Sequence, residues 1–305
     1  MLRRLVFLCL LTSCAARETP LAPVASAQAP PTPVPSMPPP MPSVAAPLPS
    51  SSPQPSPPPV PDGMLLVPGG TFRMGADSGG EQDEHPAHAV TLAPFYLDRT
   101  EVTQRAYGEC VATAKCRASA SPEPRPEHPV RYVSWQDAQT YCAWRGKRLP
   151  REAEFERAVR GDDGRLYPWG SASPNTGLTV CSGPGPLAVG SRPSGRGPYG
   201  HDDLAGNVWE WMDDLYDPIA YRRPTADAGE PGSCDAILQV QHELRHDGKQ
   251  GFTGSNPIPT ECERSIRGGA YNFGGAGLRA TNRIHHPANY RISVLGFRCA
   301  ASLAL

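Results

Sequence analysis

Short hydrophobic runs at 64–67 and 95–97, and alternating polar and hydrophobic residues at 71–74, are patterns typical of β-strands. Strands are predicted over 64–67, 71–74, 90–92 and 95–97. In three later stretches hydrophobic residues recur three and four positions apart, which is the spacing of one helix face. Helices are predicted over 101–112, 136–144 and 151–160. Beyond them, Gly, Pro and Asn interrupt the chain every few residues, so the expected fold class is α+β with few helices, short strands and long loops.

The ends of the predicted helices are marked by residues typical of helix caps. Thr100 is expected to cap the first helix. Ser134 and Asp137 form the pattern of a capping box at the start of the second. Pro150 opens the third helix and Gly161 ends it.

Residues 1–14 have the order of a bacterial export signal, with two arginines, an apolar run over 5–11 and then small residues. Leu11-Thr12-Ser13-Cys14 resembles the lipobox, in which the cysteine is lipidated and becomes the new N-terminus. The alternative is an ordinary signal peptide with an incidental cysteine. The resemblance, with no Asp after Cys14, implies an exported lipoprotein of the outer membrane that faces the periplasm or the cell surface.

Residues 15–61 are predicted to be a disordered Pro-rich linker. The stretch 20–61 holds 18 of the 38 prolines of the chain, and 19–61 contains neither a charged side chain nor Gly. Such a composition cannot bury enough surface to offset chain entropy. It favours polyproline II and would act as a semi-rigid spacer, with a reach on the order of 130 Å.

Charge and hydropathy exclude two classes of partner. The formal net charge is −1, so no basic footprint points to a nucleic acid. No apolar run is long enough to span a bilayer, so contact with the membrane is expected through the lipid anchor only.

Several short sequence motifs follow one another along the remaining chain. They are Met64-Leu-Leu-Val-Pro-Gly-Gly-Thr-Phe-Arg-Met-Gly75, His128-Pro-Val130, Tyr141-Cys-Ala-Trp-Arg-Gly-Lys-Arg-Leu-Pro150, Tyr167-Pro-Trp-Gly170, Gly206-Asn-Val-Trp-Glu-Trp211, Arg267-Gly-Gly269 and Leu295-Gly-Phe-Arg-Cys-Ala300. Together they resemble the formylglycine-generating enzyme (sulfatase-modifying factor) family. The resemblance covers about residues 62–303 and implies a domain over 62–305. It also implies that family's loop-rich variant of the C-type lectin fold, with short antiparallel strands.

Disulfide bonds are expected because an exported chain meets an oxidising compartment. Seven cysteines follow Cys14, and none forms a Cys-x-x-Cys pair, which argues against a zinc ribbon. The expected pairs are Cys142–Cys299, which the resemblance implies, Cys110–Cys116, which are close in sequence, and Cys234–Cys262, which bracket an apparent insertion. This pairing leaves Cys181 outside a disulfide.

The resemblance also implies a copper-dependent oxidation, but this sequence lacks the cysteines that would bind the copper. Active members of the family oxidise a cysteine of a sulfatase peptide to formylglycine, using copper(I) held by two cysteines shortly after a Gly-Gly-Ser motif. Soft thiolates suit copper(I). The corresponding segment here, 268–283, contains no cysteine, and none occurs between Cys262 and Cys299. Copper is therefore not expected, and the oxidase activity is predicted to be lost.

Two arrangements would keep the alternative of an active oxidase open. Cys181 could meet Cys262 in space, or His285 and His286 could serve as metal ligands. Without either, the domain is expected to bind a peptide, a glycan or a protein of the cell envelope. The possible ligand surface consists of Tyr271, Asn272, Arg279, Asn282 and Arg283. The alternative role of the two arginines is to brace loops.

A structural Ca²⁺ site is implied on the Gly-Asn-x-Trp-Glu-Trp loop. Its ligands would be the side chains of Asp203 and Glu210 and the carbonyl groups of Gly206 and Val208, since Ca²⁺ takes hard oxygen ligands. The alternative is a plain Gly-Asn turn with a salt-bridged Glu.

One further motif, His242-Glu-Leu-Arg-His246, has the His-Glu-x-x-His spacing of zinc peptidases, with Glu243 as the general base. A helix over 236–246 would place its apolar residues on one face and both histidines on the opposite, polar face. No third ligand is evident after the motif, so zinc is not expected, and a zinc metallopeptidase is only a remote alternative.

Overall fold

The computed structural model describes residues 60–223, 233–246 and 260–303. The predicted signal peptide over 1–14 with Cys14, and all but the last two residues of the predicted linker over 15–61, lie outside the described residues. The described residues form an α+β fold of short strands, four α-helices and long connecting loops, as the sequence predicts.

One three-stranded sheet joins the two ends of the domain. Strand β1 (Met64–Val67) pairs antiparallel with β4 (Phe95–Asp98), and β4 pairs antiparallel with β9 (Ala300–Ser302). Between β1 and β4, strands β2 (Gly70–Met74) and β3 (His88–Leu92) form a separate antiparallel pair. The four predicted strands are thus confirmed.

A second sheet lies at the centre of the domain and has the strand order β7-β6-β5-β8. Its members are β5 (Trp209–Leu215), β6 (Glu263–Arg267), β7 (Ile284–Pro287) and β8 (Leu295–Gly296). Strand β8 pairs parallel to β5, an exception to the expected antiparallel pattern. Gly296 allows β8 to pack closely against the chain at Val130, because a Cβ atom there would lie 2.5 Å from the Val130 carbonyl oxygen.

The helices are α1 (Gln104–Ala112), α2 (Trp135–Trp144), α3 (Glu152–Arg160) and α4 (Cys234–His246). The predicted capping box of α2 is confirmed, since Ser134 Oγ accepts from the Asp137 N–H and Asp137 accepts from the Ser134 N–H at 2.7 Å. Helix α1 begins later than predicted. Its cap is Thr103, whose hydroxyl accepts from the Ala106 N–H at 3.2 Å, and not Thr100.

Two hydrophobic clusters fill the space between these elements. One joins α1 and α2 to the central sheet through residues such as Tyr141, Trp209 and Phe297. The other packs α3 against the first sheet through Phe155 and Leu97. Burial on this scale explains how a chain with little regular structure holds its loops in place.

All three expected disulfides are present. They are Cys110–Cys116, Cys142–Cys299 and Cys234–Cys262. Cys181 lies outside these disulfides and is buried. Among the described residues, no helix has both the length and the apolar character needed to cross a bilayer.

Candidate ligand surface and cation site

The segment 268–283 leaves β6 through a tight turn at Gly268 and Gly269, whose φ angles are +97° and +79°. A Cβ atom on Gly269 would lie 2.6 Å from Leu278 Cδ2 and 2.7 Å from the Gly277 carbonyl oxygen. Only glycine fits this turn, because it combines a positive φ with close packing. The turn sends the chain back across the domain.

The returning chain is held against the Gly-Asn-x-Trp-Glu-Trp loop by backbone hydrogen bonds. The Tyr271 N–H donates to the Asn207 carbonyl at 2.9 Å. The Gly183 N–H donates to the Tyr271 carbonyl at 2.7 Å, and the Ser182 N–H donates to the Phe273 carbonyl at 3.2 Å. Residues 271–273 therefore lie at the surface on a supported backbone.

We call these residues, together with Leu187, the 271–273 patch, because the backbones of Leu187 and Tyr271 are both hydrogen-bonded to Asn207. The patch consists of Leu187, Tyr271, Asn272 and Phe273. Phe273 is 38% exposed and Leu187 is 36% exposed. The ring of Phe273 stands edge-on to the buried Trp209 at 5.3 Å between centroids. The Trp209 indole N–H is buried and has no hydrogen-bond partner among the described residues.

The other three residues of the predicted ligand surface have different surroundings. Arg279 donates to both carboxylate oxygens of Glu84, at 2.9 and 2.7 Å. Arg283 is buried and donates to both oxygens of Glu152, at 2.6 and 2.9 Å. Asn282 is buried as well. The arginines thus brace loops, the alternative that the sequence leaves open. Asn272 is exposed, and Tyr271 and Arg279 are partly exposed.

The bracing carboxylates are held in their charged form. Burial alone would raise the pKa of Glu152, but Arg283 and Arg267 outweigh it and hold the pKa below its usual value. Burial also opposes ionisation of Glu84, whose pKa is nevertheless lowered by hydrogen bonds from Thr281 and from the Glu81 N–H and by Arg279. These ion pairs connect α3 and the loop around Glu84 to the segment 279–283.

The two arrangements that could restore an oxidase site are not formed. Cys262 is bonded to Cys234 and cannot join Cys181 as a thiolate ligand. His285 and His286 are neighbours on β7, so their side chains leave opposite faces of the strand. His285 Nδ1 is 2.5 Å from Glu263 Oε2, and its ring stacks on Tyr216.

The predicted calcium ligands lie around a buried arginine. Both carboxylate oxygens of Glu210 accept from Arg298, at 2.7 and 2.8 Å. Arg298 also donates to the carbonyl groups of Asp202 and Asp203, at 3.1 and 3.2 Å. Asp203 has a positive φ of 55°, and its side chain accepts from the Gly190 N–H at 2.5 Å. The salt-bridged Glu of the alternative interpretation is therefore present.

Sequence reasoning overlooked a third carboxylate at this position, that of Glu101. Its Oε2 accepts from Asn207 Nδ2 at 3.3 Å, and its side chain is also hydrogen-bonded to the carboxyl group of Asp203. Burial raises the pKa of Glu101 well above its usual value, and the charges of Asp203 and Glu210 raise it further. Glu101 precedes the observed start of α1, and nothing in its local sequence signals this role.

The contacts of these residues limit how a cation could bind. Three carboxylates lie near one guanidinium group, which donates to both oxygens of Glu210. Among the described residues, however, no three acidic, histidine or cysteine side chains form a metal cage by themselves. A Ca²⁺ ion would therefore also need main-chain oxygens such as those of Gly206 and Val208, which are ligands that it accepts.

The zinc-peptidase motif lies on α4. His242 and Glu243 are exposed, and Glu243 accepts a hydrogen bond from Gln239 at 3.0 Å. The side chain of His246 lies outside the described residues. Ile237 is buried on the apolar face of the helix, on which the sequence also places Leu244.

Comparisons with known proteins agree with the sequence motifs. The model of the sulfatase-modifying factor enzyme 1-like domain family matches residues 49–303. A formylglycine-generating enzyme from Streptomyces coelicolor is 33% identical over 254 residues, which cover 61% of this chain and 80% of that protein. An inactive C-alpha-formylglycine-generating enzyme 2 from Mus musculus is 33% identical over 214 residues, covering 51% and 70%. The solved structure of PvdO from Pseudomonas aeruginosa superposes with a TM-score of 0.60 at 25% identity, covering 79% of this chain and 94% of that one.

Proposed function

The chain belongs to the sulfatase-modifying factor enzyme 1-like family, and we propose that it is a member without oxidase activity. In this proposal the 271–273 patch binds a peptide, a glycan or a protein partner in the bacterial cell envelope. The relative named as a formylglycine-generating enzyme and the relative named as an inactive one are both 33% identical to the chain. Overall identity therefore does not separate the two functions. The separation depends on the residues of the site.

The observation that best supports loss of the oxidase is the absence of a thiol pair from the segment 268–283. Copper(I) prefers soft sulfur ligands, and aromatic or aliphatic side chains cannot replace them. The segment presents Tyr271 and Phe273 at its surface and buries Leu278 beneath it. The ion pairs of Arg279 with Glu84 and of Arg283 with Glu152 attach the end of the segment to the rest of the domain.

Binding is supported by what the same segment exposes. Phe273 and Leu187 leave apolar surface in contact with water, and the ring of Phe273 packs edge-on against the buried Trp209. Exposed aromatic groups are common where proteins bind peptides or sugars. A ligand that offers apolar surface would cover these side chains.

A photo-reactive benzophenone residue at position 273, introduced into the full chain in its native host, tests the binding role. Tyr290 is the matched control position, because it is an aromatic residue, 44% exposed, that follows β7 and stacks on His286 outside the patch. We expect discrete cross-linked products from position 273 that do not form from position 290. Identical products from both positions, or none from position 273, would contradict the proposal.

We further propose that the chain is an outer-membrane lipoprotein, lipidated at Cys14 and separated from the membrane by the Pro-rich segment. Substitution of Cys14 by Ser should abolish incorporation of labelled palmitate and release the protein from the membrane fraction. Equal labelling of both proteins would rule out the anchor.

The proposal includes a structural Ca²⁺ ion bound by Asp203 and Glu210 with the carbonyl oxygens of Gly206 and Val208. It is supported by the surplus of buried negative charge around Arg298. An ion there would stabilise the Gly-Asn-x-Trp-Glu-Trp loop, to which Leu187 and Tyr271 of the patch are hydrogen-bonded through Asn207.

A further inference from the structure

We infer that Arg99 and Arg196 form a binding site for a phosphate group, and that the buried side chain of Asp202 holds them in place. The two arginines come from different parts of the chain. Arg99 directly follows β4, and Arg196 directly follows a short 3₁₀ turn over Pro193–Gly195. This phosphate site shares no residue with the 271–273 patch, so it would be a second place at which the domain binds a ligand.

Asp202 is a fixed point in the interior of the domain. Its side chain is 2% exposed. Its carbonyl oxygen accepts from both terminal nitrogens of the buried Arg298, each at 3.1 Å. Its N–H donates to the Arg99 carbonyl at 2.8 Å, which also fixes the backbone of that arginine. The Asp202 carboxylate therefore has a defined position from which it can orient other side chains.

Each oxygen of this carboxylate accepts a hydrogen bond from one arginine. Arg99 Nε donates to Oδ2 at 2.9 Å, and Arg196 Nε donates to Oδ1 at 2.6 Å. Because both bond to the same carboxylate, the two guanidinium groups are neighbours. The side chain of Arg99 is 49% exposed and that of Arg196 is 39% exposed, so a ligand in solution can reach both groups.

The pair keeps both donors and positive charge for such a ligand. A guanidinium group has five N–H donors, and each of these two uses only Nε–H within the part of the chain that the structure describes. One carboxylate balances only one of the two positive charges. The acidic neighbours are covered, since both Asp202 oxygens are bonded to arginines and the buried Asp203 accepts from the Gly190 N–H at 2.5 Å.

A phosphate group fits two such arginines better than a carboxylate does. It offers three acceptor oxygens, so it can bond to both guanidinium groups at once. Because Asp202 orients the arginines before a ligand binds, less conformational entropy is lost on binding. The phosphate has two possible sources, a soluble phosphorylated compound or a lipid headgroup. The Arg99 N–H donates to the Gly63 carbonyl at 2.9 Å, so the site lies near the start of the described domain.

The test is a titration of the full-length Cys14→Ser chain, which lacks the predicted lipidation site, with inorganic phosphate. The Nε–H signals of Arg99 and Arg196, observed by NMR, should shift and reach saturation. Arg165 is the matched control, because it donates Nε and Nη2 to the two oxygens of Asp163 and so has this edge of its guanidinium group occupied. Arg99→Gln should weaken phosphate binding at least about tenfold, and Arg165→Gln should leave it unchanged.

A second variant keeps the test valid if Arg99→Gln does not fold. Arg99→Lys retains the positive charge but not the planar fork of donors, and it should also bind phosphate more weakly than the wild-type residue does. Absence of a saturable shift at Arg99 and Arg196, an equal shift at Arg165, or unchanged affinity in the folded Arg99 variant would overturn the inference. None of these results bears on the 271–273 patch, which the cross-linking experiment tests separately.

Vesicles identify the source of the phosphate. Binding to vesicles of phosphatidic acid that exceeds binding to phosphatidylcholine vesicles, and that is lost in Arg99→Gln, would assign the site to lipid headgroups. Saturable binding of inorganic phosphate without this preference would assign it to a soluble phosphorylated compound. Both results support the phosphate site.

Discussion

Glu152 holds two arginines in the interior of the protein. It accepts from Arg283 at 2.6 and 2.9 Å, from Arg267 at 3.3 Å and from the Ser265 hydroxyl at 3.0 Å. Removing one partner of a buried ion pair leaves an uncompensated charge and is strongly destabilising. Glu152 therefore connects the start of α3 to β6 and to the segment 279–283.

Substitution of Glu152 by Gln should lower the free energy of unfolding at pH 7 by about 3 kcal/mol, measured by urea denaturation. The folded-state pKa of Glu152 is lowered from a reference value of 4.5, so its contribution is present above that pH. It is lost as the pH falls through the folded-state pKa, because the unfolded chain then binds more protons. The difference between the two proteins should shrink below pH 4.5.

Asp163→Asn is the control, since Asp163 pairs with Arg165 at the surface with 60% of its side chain exposed. Its effect should stay within about 0.5 kcal/mol. Equal losses from the two substitutions would contradict the role given to Glu152.

Sequence reasoning located the segment of the site but not the contacts of its residues. Arg279 and Arg283 follow the family pattern, yet their partners Glu84 and Glu152 lie more than a hundred residues away and show no pattern that pairs them. Glu101 was missed because its burial beside Asp203 and Asn207 can be recognised only when its surroundings are known. The exposure of Phe273 over Trp209 likewise depends on the return of a distant segment.

At the scale of elements, α1 shows how tertiary contacts shift a helix boundary. Thr100 and Thr103 are both acceptable N-caps, and the sequence does not distinguish them. The Val102 N–H donates to the Phe297 carbonyl, and the Val102 carbonyl accepts from the Val130 N–H. These bonds hold residue 102 in extended backbone, so the helix begins only after Thr103. The capping box of α2 is local, and for that reason it was predictable.

The disulfides differ in how much they should stabilise the fold. Cys142–Cys299 joins residues 157 apart in sequence, whereas Cys110–Cys116 joins residues 6 apart. Loop-closure entropy predicts about 5 kcal/mol for the long loop and about 2 kcal/mol for the short one. Paired substitution of each disulfide by Ala, followed by urea denaturation, should show the larger loss for Cys142 and Cys299. The opposite ranking would mean that chain entropy does not govern their effect.

At the scale of the whole molecule, the family resemblance predicted the loop-rich α+β architecture and the Cys142–Cys299 disulfide, because these follow from ordered motifs. The parallel pairing of β8 with β5 was not predictable, since β8 has only 2 residues and no alternation to read. The ion pairs that close the loops depend on residues brought together by folding. The sequence therefore predicts the architecture and this disulfide better than the ion pairs in the interior.

If the proposed Ca²⁺ ion is bound, its removal by a chelator should destabilise the whole domain. Chelation with EGTA should lower the melting temperature by at least about 5 °C, since 1 kcal/mol corresponds to about 2–4 °C in a domain of this size. Excess Ca²⁺ should restore it, while Mg²⁺ should not, because Mg²⁺ requires a smaller octahedral site. An unchanged melting temperature in EGTA would argue against a structural calcium ion.

We propose that this member of the family has lost the oxidase activity while keeping the fold. The most direct measurement is turnover of a peptide with the pattern Cys-x-Pro-x-Arg by the full-length protein, in the presence of oxygen and copper(I), followed by mass spectrometry. A formylglycine-generating relative assayed in parallel confirms the conditions. We predict no formylglycine above the level of a heat-killed sample, because the segment 268–283 contains no cysteine. Formylglycine that accumulates with time only in the native sample would contradict the account.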